Sequence, residues 1–169
     1  MGVLYDYFGA ADPATAVEWA IGPGGDHRQE GPSLDEAGAD WIDMKGMDPH
    51  LALGQLIAFA EGVPFAGQRD KPELIWPDLR QWPEPTGSEP DPGSPWESGL
   101  LLMALPDRWR DVLAEVAEEF VPMLAMQWSF TDEAVFADQS TAEDCVRAFT
   151  GLARRARAAG SGLYCCCCP

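Results

Sequence analysis

The sequence predicts an α+β fold, a small mixed sheet with several packed helices, in a single domain spanning residues 1–169. Three observations predict it. Short apolar runs of strand character stand near the start, the middle and the end of the chain. Amphipathic segments of helical period lie between them. The chain has 169 residues, 46% of them hydrophobic, with seven Trp and seven Phe, which is enough for one core and points to one domain.

Tyr5, Tyr7 and Phe8 place aromatic residues in a loosely alternating run over Gly2–Phe8, which reads as the first strand. Asp12-Pro13 supplies an N-cap and a proline at the first helical position, with Ala16, Val17, Trp19 and Ala20 available for burial. Gly22-Pro-Gly-Gly-Asp26 ends that helix, and His27 to Gly38 is polar and loop-like. Trp41–Lys45 reads as a second short strand. Asp48-Pro49 repeats the helix-start signal, followed by Leu51, Leu53, Leu56, Ile57, Phe59 and Ala60, with Gly62 closing the helix.

From Val63 to Ser98 the chain is rich in proline, with Trp76, Trp82 and Trp96 between the prolines. This stretch, residues 63–98, reads as an insertion or loop on the surface, with a lid over a pocket as the alternative, and Pro83–Pro95 as flexible or polyproline-like.

Gly99 to Trp128 organises the rest. Leu100–Leu105, between Gly99 and Pro106, reads as a strand buried on both faces. Trp109, Val112, Leu113, Val116, Ala117 and Phe120 then recur at helical spacing, and Pro122 stops or kinks that helix near Phe120. Met123, Leu124, Met126 and Trp128 form a second apolar patch, read as core. Thr131–Ala137 suggests a short helix with Val135 and Phe136 inward. Ser140-Thr-Ala-Glu143 is a capping box for a last helix carrying Cys145, Val146, Phe149, Leu152, Ala153 and Ala156 on one face, and Gly160 is its C-cap. Gly162–Cys168 reads as a terminal strand.

The net charge of −17 repels phosphate backbones and anionic lipid, so neither nucleic acid nor membrane is an expected partner. Nine acids and no Lys or Arg lie between Asp111 and Asp144. That acidic face reads as a solvating surface and, more sharply, as a binding surface for a basic protein. No charged region precedes an apolar segment at the N-terminus, so a cytoplasmic location is expected.

Two clusters carry potential chemistry. In Cys165-Cys166-Cys167-Cys168, Cys165 and Cys168 form a C-x-x-C pair able to hold Zn²⁺ or Cu⁺, with Cys166 and Cys167 as further thiol candidates. The plainer reading is a buried strand, in which Cys165 and Cys167 share one side and Cys166 and Cys168 the other. The second cluster, Asp43, Lys45, Asp48 and His50, is a candidate polar site; its plainer reading makes Asp48 an N-cap and the other residues solvated. No nucleophile elbow, P-loop, dinucleotide fingerprint or H-E-x-x-H occurs, and no other cofactor is expected.

Met1-Gly-Val-Leu-Tyr-Asp-Tyr-Phe8, Met44-Lys-Gly-Met-Asp-Pro49, Gln127-Trp-Ser129 and the ending Arg154-Arg-Ala-Arg157 to Leu163-Tyr-Cys165 resemble a group of small actinobacterial proteins without an assigned activity. Those proteins open with a similar MGVL[FY]DYF and often close on a Cys-Trp-x-Cys-like tail; this chain has Cys166 in place of the Trp. The layout is also distantly similar to the YfbM-like α+β proteins. The resemblance implies a fold in which the cysteine run is the last strand. Together these readings lead to a non-enzymatic cytoplasmic protein-binding module, of the immunity or antitoxin type, with a thiol-based metal-binding or redox protein as the alternative.

Overall fold

The computed structural model describes residues 3–29, 31–67, 70–81 and 89–169. Five strands, β1 (Leu4–Ala10), β2 (Trp41–Asp43), β3 (Glu73–Trp76), β4 (Leu101–Ala104) and β5 (Gly162–Cys168), form one sheet in the order β2-β1-β5-β4-β3. Every ladder is antiparallel. The cysteine-bearing strand β5 is central, paired from Leu4↔Cys168 to Ala10↔Gly162 on one side and from Leu101↔Cys167 to Ala104↔Tyr164 on the other. A central strand buried on both faces needs apolar side chains on both, which explains a near-continuous apolar run at this point in the sequence.

Strand alternation divides the core into two layers. On one face, Tyr7, Leu163 and Cys165 pack with Leu105 against α2 (Gly54–Glu61), α3 (Asp107–Glu115), α4 (Val121–Ser129) and α5 (Gln139–Ala158). Phe149 is the hub, edge-on to Tyr7 at 4.9 Å and to Trp128 at 6.1 Å. Trp128 Nε1 donates to the Ala52 carbonyl at 2.8 Å, so this large buried ring leaves no polar atom unpaired. On the other face, Phe8, Ala10, Leu102, Tyr164 and Cys166 pack with Trp76 against Ala16 of α1 (Pro13–Ala20) and Ile21. Trp76 Nε1 donates to the Gly25 carbonyl at 3.2 Å. Gly25 has φ 77, and a Cβ there would sit 3.2 Å from Val17 and 3.4 Å from the Trp76 indole nitrogen, so the loop closes on that ring only through glycine.

Local chemistry starts the helices. Asp12 accepts from the Thr15 amide at 2.8 Å and opens α1 ahead of Pro13. Asp48 accepts from the His50 and Leu51 amides, both at 2.8 Å, and starts a wide π-type turn, Pro49–Leu53, that runs into α2. Gly62, at φ 67, ends α2.

Five expectations are corrected. The helix anticipated through Phe120 is broken: α3 ends at Glu115, and Val116 is extended at ψ 115. Arg154 of α5 donates to the carbonyls of Ala114 and Val116, supplying donors that the ended helix no longer provides. Pro122 therefore stands in the first turn of α4, where its missing N–H costs nothing, rather than at the end of α3. The last helix is capped by Asp138, whose carboxylate accepts from the Thr141 amide at 2.8 Å, not by Ser140. Thr131–Ala137 contains no helix; Phe136 lies 4.9 Å from Trp128, and Val135 points into solvent. Residues 63–98 are not loop throughout, because Glu73–Trp76 pairs with β4 as the edge strand. Trp82 and Pro83–Ser88, part of the stretch read as polyproline-like, lie outside the described residues.

Candidate functional site

The cysteine run is divided by strand geometry. Cys165 is fully buried in the helical layer, and that burial pushes its thiol well up. Cys167 is half-buried on the same side beside Tyr5, whose phenol is pushed up to about 12, mainly by burial. Cys166 and Cys168 project to the opposite face, with their sulfurs 3.7 Å apart. The structure therefore does not bring Cys165 and Cys168 together; it brings Cys166 to Cys168. The hydrogen-bonding contact between the two thiols raises the Cys166 thiol and, as its leading effect on the partner, lowers that of Cys168. Both cysteines line a cavity of about 350 Å³ walled by Trp19, Leu34 and Trp41, with Asp6 also in its lining. Asp6 is raised by burial and then by Asp43, its register partner on β2. Among the described residues, no cluster of three or more metal-ligating side chains converges.

Asp43, Lys45 and His50 are exposed, and Asp48 spends its carboxylate on the backbone of the turn it caps. No ion pair joins these four side chains among the described residues. His50 instead borders a cleft of about 310 Å³ with Phe65, Lys71 and Trp109. Phe65, Ala66, Lys71 and Pro72 of the proline-rich stretch thus form one wall of that cleft.

A larger feature lies on the helical layer. The break at Val116 separates α3 from α4 and opens a groove of about 590 Å³ between α2, α3 and α4. Phe59, Val112, Ala117, Phe120, Met123 and Leu124 form its apolar floor and sides. From this groove an apolar stripe continues along the outer face of α4. Phe120, Met123, Met126 and Phe130 are 51%, 46%, 48% and 82% exposed, at spacings that keep them on one side of the helix. The expectation that Met123 and Met126 belong to the core is thereby corrected, while Leu124 and Trp128 of the same patch are buried. α4 shows apolar residues on both faces, so composition cannot tell which face is turned inward.

Acidic residues surround the groove and the stripe. Glu61 and Glu115 line the groove, Glu118 and Glu119 precede α4, and Asp132 and Glu133 follow it. Arginines hold part of this rim: Arg108, itself in the groove wall on α3, meets Glu61 at 2.8 Å, Arg147 of α5 meets Glu118 at 2.7 Å, and Arg157 of α5 meets Glu115 at 3.5 Å. Glu119 and Asp132 are exposed. The groove was not legible as a site in the sequence; its one trace is that acids flank a Met- and Phe-bearing helix on both sides.

No protein-family model, curated protein or solved structure matches this chain. Among the described residues, no helix is long and apolar enough to cross a membrane.

Proposed function

We propose that the protein is a binding module whose groove between α2, α3 and α4 takes a cationic amphipathic helix of a partner protein. The observation that carries this reading is the exposed Phe120, Met123, Met126 and Phe130 stripe set within an acidic rim. Contiguous exposed apolar surface rimmed by polar groups marks interaction sites, and methionine adapts its shape to a partner at little cost. A helix laid in the groove would bury these side chains while its basic face meets the exposed Glu119 and Asp132. Charge selects the occupant. A second copy of this chain would bring another −17 to the interface, whereas a basic segment is steered toward it. The basic protein partner expected from composition is thus proposed to dock at this groove. An inhibitor of the immunity or antitoxin type is one biological form such a module takes.

The test is titration with a synthetic helical peptide bearing leucine on one face and lysine on the other, read by calorimetry for the wild type and Met123→Glu. Met123→Glu adds a negative charge, so attraction by charge alone would strengthen. Docking in the groove predicts at least roughly tenfold weaker binding, about 1.4 kcal/mol. Equal or tighter binding by Met123→Glu would overturn the reading.

A further inference from the structure

The second feature lies across the sheet from the groove and is independent of it. Cys166 and Cys168 stand on the same face of the central strand, sulfurs 3.7 Å apart, opening into a cavity walled by Trp19 and Trp41. Two chemistries could use such a pair, and the geometry separates them. A disulfide brings sulfurs to about 2.0 Å and Cβ atoms to about 3.5–4.5 Å. Same-face residues of a strand are two rises apart, roughly 6.6–6.8 Å, the outer limit for a bridged pair. Closing the gap would require bending β5, which is held in register by β1 at Cys166 and Cys168 and by β4 at Cys166 and Cys167. Chelation has no such requirement. A tetrahedral cation with metal–sulfur bonds of about 2.3 Å needs its two sulfurs about 3.8 Å apart.

We propose that Cys166 and Cys168 form a bidentate dithiolate site for a thiophilic d¹⁰ cation of the Zn²⁺, Cd²⁺ or Cu⁺ class. Water or a small ligand entering from the cavity completes the coordination. A divalent ion replaces the two thiol protons, which leave to solvent, so binding strengthens as pH rises. The surroundings favour a cation: Asp6 lies beside the sulfurs, with Asp43 opposite it in the ladder. Asp35, also on the cavity wall, accepts from the Trp41 indole N–H at 2.7 Å.

Cd²⁺ is the probe, added to the full-length reduced protein under anaerobic conditions, with ultraviolet sulfur-to-metal charge transfer as the readout. The wild type and Cys167→Ser should develop the band with one equivalent of Cd²⁺. Cys168→Ser, altered at a partly exposed position near the chain end, should lose it, and Cys166→Ser should lose it if it folds by circular dichroism. A wild type without the band would overturn the assignment. So would a band retained by Cys168→Ser, or one abolished by Cys167→Ser. Isolation of the pair as an alkylation-resistant disulfide after purification in air would also overturn it, since it would show that β5 bends to close the bridge.

Discussion

Met123 and Asp6 show how one side chain acquires a meaning that its residue type does not give. Methionine at helical spacing is most often core, and Leu124 and Trp128 of the same segment are core. Met123 differs because the inner face of α4 is already filled by Val121, Leu124, Ala125 and Trp128. Asp6 is an acid on a strand of otherwise largely apolar register, half-buried beside Cys166 and opposite Asp43. Burial first, and Asp43 second, raise its carboxyl. Such a group holds its proton more tightly folded than unfolded, so stability falls as pH climbs from the ordinary aspartate value, about 3.9, through the raised native one. Asp6→Asn is expected to raise Tm at pH 7, with the gain fading as pH drops below about 4, where both states are protonated in the wild type. A Tm difference that is the same at both pH values would show that the carboxyl is not strained by its site.

At the scale of elements, sequence was most informative where an apolar run had clear ends. Gly162–Cys168 is a strand as expected and Leu101–Ala104 forms within the run expected over Leu100–Leu105, because glycine and proline bound each run and both faces are covered. Glu73–Trp76 was hidden, since four residues among prolines carry too little pattern to register as a strand. The break between α3 and α4 was hidden for a different reason: Val116 and Phe120 continue the helical period, and the residue that satisfies the break, Arg154, lies in a separate helix. Capping was legible in type and displaced in position, because Asp138 and Ser140 lie two residues apart at the start of the last helix and the carboxylate is the stronger acceptor. Arg154→Ala removes two charge-assisted hydrogen bonds to the broken segment and is expected to cost about 1–3 kcal/mol. Urea unfolding should show a lower midpoint with an unchanged slope. An unaltered midpoint would mean that Val116 and Ala117 keep their path without the guanidinium.

At the scale of the whole molecule, the central strand separates the two candidate surfaces. Its alternation sends Cys165 into the helical core and turns Cys166 and Cys168 toward the cavity on the opposite face. The split of the four cysteines followed from strand period alone. The cavity beside Cys166 and Cys168 needed Leu34 and Trp41 of β2, which no periodicity connects to β5. The acidic charge was likewise legible as a total, whereas its relation to a groove depends on how α2, α3 and α4 meet. The long-range field explains why a basic segment would be drawn in, and the apolar stripe explains why it would stay.

The methionine methyl groups offer the most direct test of that claim. Carbon–proton correlation spectra of methyl-labelled protein, recorded with the leucine–lysine peptide, should show Met123 and Met126 shifting strongly. Met44, Met47 and Met103, buried away from the groove, should hold their positions. Shifts absent from Met123 and Met126, or spread evenly over all the methionines, would contradict the groove as the binding surface.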